Sequence, residues 1–375
     1  MSGLVLFLRP APVGSHICMD SRSLAGDQQT GQGSVDGNAL GSPEVPISVV
    51  ADALRDSHGV EVLNAKRVGG ELDMNVRIDT KSGRFLVKIG ASRSADEGWR
   101  DNILRHVAQA APELPVPHLI ENRRGSGTTP LIHGEVWQMR VFNWLEGDLL
   151  ADVSPTFELL GDLGRSSAEL TEALGTFDDT SMATHPWDLR TAAETLQDNL
   201  PFLTSTGRTD AVRRILHMLH TVQPLLAQLP LATVHHDLND HNVLVMTDVA
   251  GRQRISGILD FNDALRTHRV ADLAIAAAYA MLRQPAPIDA AAAVVGGYHS
   301  RSALSDAELE VVFPLAATRL CLNATLWTRR TSTLEPEAAK YGRRRMADTW
   351  PTVEHISTVD PRWALDRIRR TCGLT

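Results

Sequence analysis

Two segments carry the side chains most able to do chemistry: HHDLNDHNVLV, residues 235–245, and ISGILDFNDA, residues 255–264. They supply two carboxylates, Asp237 and Asp260, and an amide, Asn242, five positions beyond the first. Phosphoryl transfer asks a protein chiefly to position an attacking hydroxyl and to neutralise charge on phosphate oxygens, so this small set suffices for it. In that chemistry Asp237 accepts or orients the hydroxyl proton, while Asn242 and Asp260 hold magnesium against nucleotide phosphates. His235-x-Asp237-x-x-x-x-Asn242 follows the corresponding catalytic-loop pattern, and Asp260-Phe261-Asn262 stands where a D-F-G triplet would stand.

The elements around these residues decide whether they can meet. The apolar runs 243–245 and 254–259, separated by Thr247, Asp248 and Gly251, read as a hairpin with the loop at one end and Asp260 at the other. Both acids then reach the same edge. A plain surface hairpin with Asp at its turns is the simpler alternative, but it has no need of this order of residues. A zinc hydrolase is the second alternative, because His235, His236, Asp240 and His241 crowd one segment. The helical H-E-x-x-H device spaces its histidines four apart, whereas His236 and His241 are five apart between strand-like valines. His235 is therefore expected to pack and hold the loop.

Composition bounds the rest. A chain of 375 residues, 43% hydrophobic and 22% charged, can bury a sizeable core as one two-lobed unit or two close domains. A net charge of −8 disfavours nucleic acid as a partner, since phosphate backbones are held by Lys and Arg, and suits a small or cationic acceptor. Cys18, Cys321 and Cys372 show no paired spacing, so neither disulfides nor a zinc knuckle is expected. LVLFL near the start is too short for a signal core, no stretch is expected to span a membrane, and a cytoplasmic location is the default. Residues 21–46 are rich in Gly, Ser, Gln and Asp, so 1–46 reads as a flexible tail, with Met19 an alternative start.

Residues 47–147 then read as a nucleotide-binding sheet lobe and hinge, and 148–375 as a helical catalytic and acceptor-binding lobe. A short helix over 49–57 precedes three β-type runs; in the last, Phe85, Val87 and Ile89 share one face and Lys88 points to the other. A lysine so directed can hold the α- and β-phosphates of a nucleotide. The following helix, 95–111, should offer it a Glu. Glu97 is the candidate, although the register set by Leu104 and Val107 puts Arg100 at that place. VWQMRVF runs into WLEGDLL, where Gly147 permits a sharp turn; the hinge backbone, with Phe142, Trp144 and Leu145, is expected to meet the purine edge, Phe142 and Trp144 being equally suited to stack on adenine or to fill the core. Beyond it, leucine stripes at helical spacing, an Ala-rich helix capped by Asp272 and a capping box at Ser305-x-x-Glu308 make the second lobe helical. No Walker loop is present in the sequence.

These motifs resemble the aminoglycoside phosphotransferase and choline kinase superfamily. HHDLNDHN and ILDFNDA stand at its catalytic and metal motifs, FLVKI at its nucleotide lysine and FNWLEG at its hinge. Within it the chain looks most like hydroxylysine kinases, through DLNDHNVLV, DLAIAAAYAM, GGYHS and FPLAATRL. His236 and Asn262 replace glycines of the pattern. The resemblance implies an α+β, protein-kinase-like fold with a small antiparallel sheet lobe and a larger helical lobe. It further implies magnesium, ATP or GTP as donor, and an alcohol-bearing amine or amino acid as acceptor. Such an acceptor wants carboxylates for its ammonium and a cation for its carboxylate; Asp188, Asp263, Arg266 and Arg319 are the candidates.

Overall fold

The structure is a computed structural model that describes residues 43–70, 73–91, 97–178, 185–332 and 346–374, the side chain of Glu97 lying outside that set. Most of the expected tail, with Met1, Met19 and Cys18, also lies outside the described residues.

The sheet lobe follows from alternation. Helix α1 (Ile47–His58) leads into strands β1 (Asn64–Val68), β2 (Met74–Thr80) and β3 (Gly83–Ala91). Helix α2 (Glu97–Ala110), the short β4 (Leu119–Ile120) and the hairpin of β5 (Thr129–His133) with β6 (Glu135–Asn143) come next. The strands form an antiparallel sheet in the order β1-β2-β3-β6, with β4 and β5 both pairing to β6. Every second residue faces one core: Val76 and Ile78 of β2, Val87 and Ile89 of β3, Met139 and Val141 of β6, closed by Val50 and Leu54 of α1. Val45, expected in the tail, is fully buried in this core, so the packed chain starts before Ile47. Lys88 stands on the other face, between Asn75 and Arg140 in register.

The chain crosses to the second lobe at residues 144–147. Strand β7 (Asp148–Leu149) pairs with β9 (Val243–Thr247), which in turn pairs with β10 (Gln253–Ile258). Gly147 adopts φ 141°, and a Cβ there would lie 2.5 Å from Ser256 Oγ and 2.8 Å from the Val245 carbonyl oxygen, so only glycine fits the crossing.

Helices α3 (Phe157–Gly175), α4 (Ala192–Asn199) and α5 (Thr206–Leu226) follow, then β8 (Leu231–Val234), which pairs with β11 (Leu265–His268). Helices α6 (Ala271–Ala280), α7 (Pro287–Arg301) and α8 (Asp306–Thr331) and two C-terminal helices, Thr349–Ile356 and Pro361–Thr371, complete the lobe. The apolar side of α2, Trp99, Ile103, Leu104 and Val107, belongs to this larger core, so α2 joins the two lobes.

The expected capping box opens α8: Ser305 Oγ accepts the Glu308 N–H at 3.3 Å and Glu308 accepts the Ser305 N–H at 2.9 Å. One expectation needs correction. By length and mean hydropathy, 1.3 over its apolar window, α8 could cross a membrane; 89% of that window is buried, because α5, α6 and the C-terminal helices surround it.

Candidate active site

The catalytic-loop segment leaves β8 at Val234 and turns at His236, whose φ of 63° lies in the left-handed region where glycine is usual. What holds the turn is Asp272. Its buried carboxylate accepts the N–H of His235 at 2.9 Å and of His236 at 2.7 Å. This corrects its expected role: α6 begins at Ala271, has no side-chain cap at Val270, and sends Asp272 to the loop instead. Burial pushes the Asp272 carboxyl above its ordinary value.

His235 is fixed by backbone on both sides. Its Nδ1 accepts the Asp237 N–H at 3.1 Å, so the proton sits on Nε2, which donates to the Leu259 carbonyl at 2.9 Å. The ring also packs edge-on against Phe261, with centroids 4.5 Å apart. Both nitrogens being used this way, His235 locks the loop as expected and has none left for a metal.

Asp237 is gripped through both oxygens. Asn242 Nδ2 donates to Oδ2 at 2.6 Å and to the Asp237 carbonyl at 3.0 Å, and Arg319 Nη2 donates to Oδ1 at 2.6 Å. The Leu259 N–H donates to the Asn242 carbonyl at 2.7 Å, which closes the β9–β10 hairpin and releases Asp260 beside Asn242. Asp260 takes φ 61° and ψ 82°, accepts the Asn262 N–H at 3.3 Å, and lies 3.2 Å from Lys88 Nζ. Burial is the strongest single influence and acts to raise the Asp260 carboxyl, but the Lys88 charge and hydrogen bond, with His235 and the Asn262 N–H, together hold the group below its ordinary 3.8. Lys88 also lies 3.8 Å from Asp73. Arg100 Nη2 reaches the Asn262 carbonyl at 3.4 Å, so the inward position of α2 is occupied by this cation.

The remaining candidates separate clearly. Phe142 is buried in the larger core. Trp144 is half-buried, carries Arg77 5.8 Å from its ring centroid, and donates its N–H to the Arg84 carbonyl at 3.2 Å; Leu145 beside it is half-buried. Asp188 is committed to Arg190 at 2.8 Å and Arg266 on β11 is exposed, so neither offers the catalytic loop a buried, uncommitted charge. Asp263 and Arg319 do meet it: burial and then the Asp237 charge push the Asp263 carboxyl up, and Arg319 is the guanidinium on Asp237 itself. Asp240, buried in the same loop, pairs with Arg283 at 2.5 Å, and Arg283 reaches Asp348 at 3.5 Å, anchoring the loop to the C-terminal helices.

Comparison with known proteins gives the family. A sequence profile of the phosphotransferase enzyme family fits residues 64–308, from β1 into the first turn of α8. The chain belongs to that family. It is a small-molecule phosphotransferase with an alcohol group as acceptor. Hydroxylysine kinase from Danio rerio is similar to it, 27% identical over 348 residues that span 86% of this chain and 95% of that protein. A microcompartment-associated aminopropanol kinase superposes with TM-score 0.63 at 16% identity, covering 83% of this chain and 97% of its own. Amicoumacin kinase, solved with AMP-PNP, Ca2+ and amicoumacin, gives 0.61 at 15%, covering 84% and 96%. These two share the fold: α+β, kinase-like, in two lobes.

Proposed function

We propose that the chain transfers the γ-phosphoryl group of ATP or GTP to a hydroxyl of a cytoplasmic amino acid or amino alcohol of the 5-hydroxylysine kind. The carrying observation is the pair of facing clusters, Asp237 with Asn242 and Asp260 with Lys88, joined through the Leu259–Asn242 hydrogen bond. The near full-length similarity to a hydroxylysine kinase and the net charge of −8 support an amine-bearing acceptor.

Asn242 and Asp260 offer hard oxygen donors of the kind magnesium takes, the amide nitrogen of Asn242 being already spent on Asp237. When bound there, magnesium supplies positive charge to the β- and γ-phosphate oxygens. Lys88 exchanges Asp260 for the α- and β-phosphates. The hinge backbone at Leu145, with Trp144 and Phe142 around it, meets the purine edge. Glu97 remains the α2 candidate for a carboxylate partner of Lys88, with its side chain outside the described set. His235 and Asn242 keep the Asp237 carboxylate aimed at the acceptor. Asp237 takes the hydroxyl proton as the acceptor oxygen bonds to the γ-phosphorus and the bond to the bridging oxygen breaks, which leaves ADP or GDP.

A panel of 5-hydroxylysine, homoserine, choline and kanamycin, with ADP and GDP release measured separately and products read by phosphorus NMR, tests this. The expected product is a phosphomonoester of 5-hydroxylysine or a close amino alcohol, lost in Asp237→Asn although nucleotide still binds. Preferential phosphorylation of kanamycin or choline overturns the acceptor class. Nucleotide binding without any product overturns transfer itself.

A further inference from the structure

Two side chains beside Asp237 are buried with polar atoms unspent. Arg319, midway along α8 and only 2% exposed, uses Nη2 on Asp237, while its Nε and Nη1 have no hydrogen-bond partner among the described residues. His236 is 0% exposed, and neither of its ring nitrogens has a partner among the described residues. The two are neighbours: after burial, the Arg319 charge is the main influence that holds His236 neutral. A guanidinium needed only to orient Asp237 would require one N–H, and its other donors would be a buried cost without return. A backbone needing only the turn at 236 would carry glycine, which takes φ 63° without strain.

Aromatic and cationic side chains surround the pair. Trp187 lies against Arg319 at 5.3 Å from the guanidinium carbon to the ring centroid, with Arg330 at 5.3 Å from the same ring. His185 packs edge-on to His236 at 5.1 Å; its Nδ1 accepts the Trp187 N–H at 3.2 Å and its Nε2–H donates to the Asp263 carbonyl at 3.0 Å. That pairing leaves His185 rigid and His236 the imidazole with donor and acceptor to spare. The Tyr279 hydroxyl, from α6, lies near the same guanidinium.

We propose that Arg319 and His236 form the receptor for a carboxylate of the acceptor, with the Asp263 carboxylate beside Asp237 receiving its ammonium. The acceptor is then a hydroxylated amino acid, and an amino alcohol lacking the carboxylate is a poor substitute. The inference rests on the phosphotransferase reading of the site and narrows its acceptor. Nη2 of Arg319 spends one proton on Asp237; its second, with that of Nε or Nη1, makes a two-pronged edge of the kind that matches a carboxylate. One guanidinium thus measures the distance between the acceptor's carboxylate and the base, which sets which hydroxyl along the chain is attacked.

The test compares 5-hydroxylysine with 1,5-diaminopentan-2-ol, the same molecule without its carboxylate. Steady-state kinetics are measured together with calorimetric binding of each compound to the nucleotide-free protein. The wild type should prefer 5-hydroxylysine by roughly a hundredfold or more in kcat/KM, since a site built to hydrogen-bond a group rejects the analogue lacking it. Arg319→Lys keeps the charge and loses the fork, and should cut that ratio by about tenfold or more. His236→Gly suits the left-handed backbone, so it should keep the melting temperature while raising KM for 5-hydroxylysine more than for the diamine. If both acceptors lose equally in both variants, Arg319 and His236 only support Asp237 and the inference falls. If the wild type transfers phosphate to neither compound, the proposed reaction fails. Binding still decides the carboxylate site: tight binding of 5-hydroxylysine weakened by Arg319→Lys upholds it, and no preference over the diamine overturns it.

Discussion

Asp272→Asn isolates the device that places Asp237, the proposed base. The Asp272 carboxylate is fully buried and accepts two backbone N–H groups, those of His235 and His236, at 2.9 and 2.7 Å. Asparagine of the same shape keeps one acceptor oxygen and turns an NH2 group toward the second N–H, which is buried with it. A hydrogen bond to a charged group contributes about 1.5–3 kcal/mol, and an orphaned buried donor costs about 1–3 kcal/mol. Burial disfavours the charged carboxyl, so its neutralisation returns part of this loss. The net expectation is a destabilisation of about 2–4 kcal/mol, read from urea unfolding. The loop that loses its anchor also carries Asp237, and a misplacement of about 1 Å can lower turnover roughly a hundredfold. Asp248→Asn is the control: that carboxylate accepts the Ala250 and Arg252 N–H groups at 2.8 and 3.0 Å, but on a solvated turn where water replaces it. Wild-type stability and turnover in Asp272→Asn, or an equal loss in Asp248→Asn, would refute the assignment of Asp272 as the loop's anchor.

Two further outcomes follow from the same site. Asp260→Ala should abolish the magnesium-dependent tightening of nucleotide binding, because Asn242 alone brings no charge; unchanged magnesium linkage in calorimetry would make Asp260 structural. The His236 imidazole is held well below its ordinary 6.5 by burial, then by Arg319, with His185, His235 and Arg190 acting the same way. The unfolded chain therefore takes up a proton below 6.5 that the folded chain refuses, and stability drops by up to about 1.4 kcal/mol for each unit that pH is lowered below 6.5. Unfolding free energies measured across that range should fall less steeply in His236→Gly, and parallel slopes would show that another group carries the effect.

What could be read from the sequence depended on range. Asp237 and Asn242 are five positions apart and bonded to each other, so their spacing is itself the contact. Lys88 was recoverable because strand alternation fixes which face it takes, and Asp260 because the hairpin's ends must meet. Arg319 lies 82 positions from Asp237 on a helix whose apolar pattern continues around it, so spacing offered no signal for their ion pair. Asp272 was visible as an acid at a helix start, and the cap is the commoner use of that position. Only the fold reveals that β8 delivers two unpaired N–H groups to it. Asp188 and Arg266 looked as suitable for an acceptor as Asp263; the Arg190 ion pair commits Asp188, and β11 leaves Arg266 exposed.

The two acids of the site are both paired to cations, Asp237 to Arg319 and Asp260 to Lys88. These pairings offset, before any ligand arrives, part of the repulsion that Asp237 and Asp260 exert on the neighbouring Asp263. The pairs differ in what a ligand does to them. Lys88 is the end of a flexible side chain that also has Asp73 in reach, so under the proposed reaction phosphates can take it over. Arg319 is clasped in the core of α8 and against Trp187, and cannot leave Asp237 at comparable cost. Under the proposed reaction, the nucleotide side of the site is thus built to exchange partners and the acceptor side to keep them. That asymmetry suits a reaction in which the donor's charge must be accommodated anew each turnover, whereas the base must stay aimed throughout.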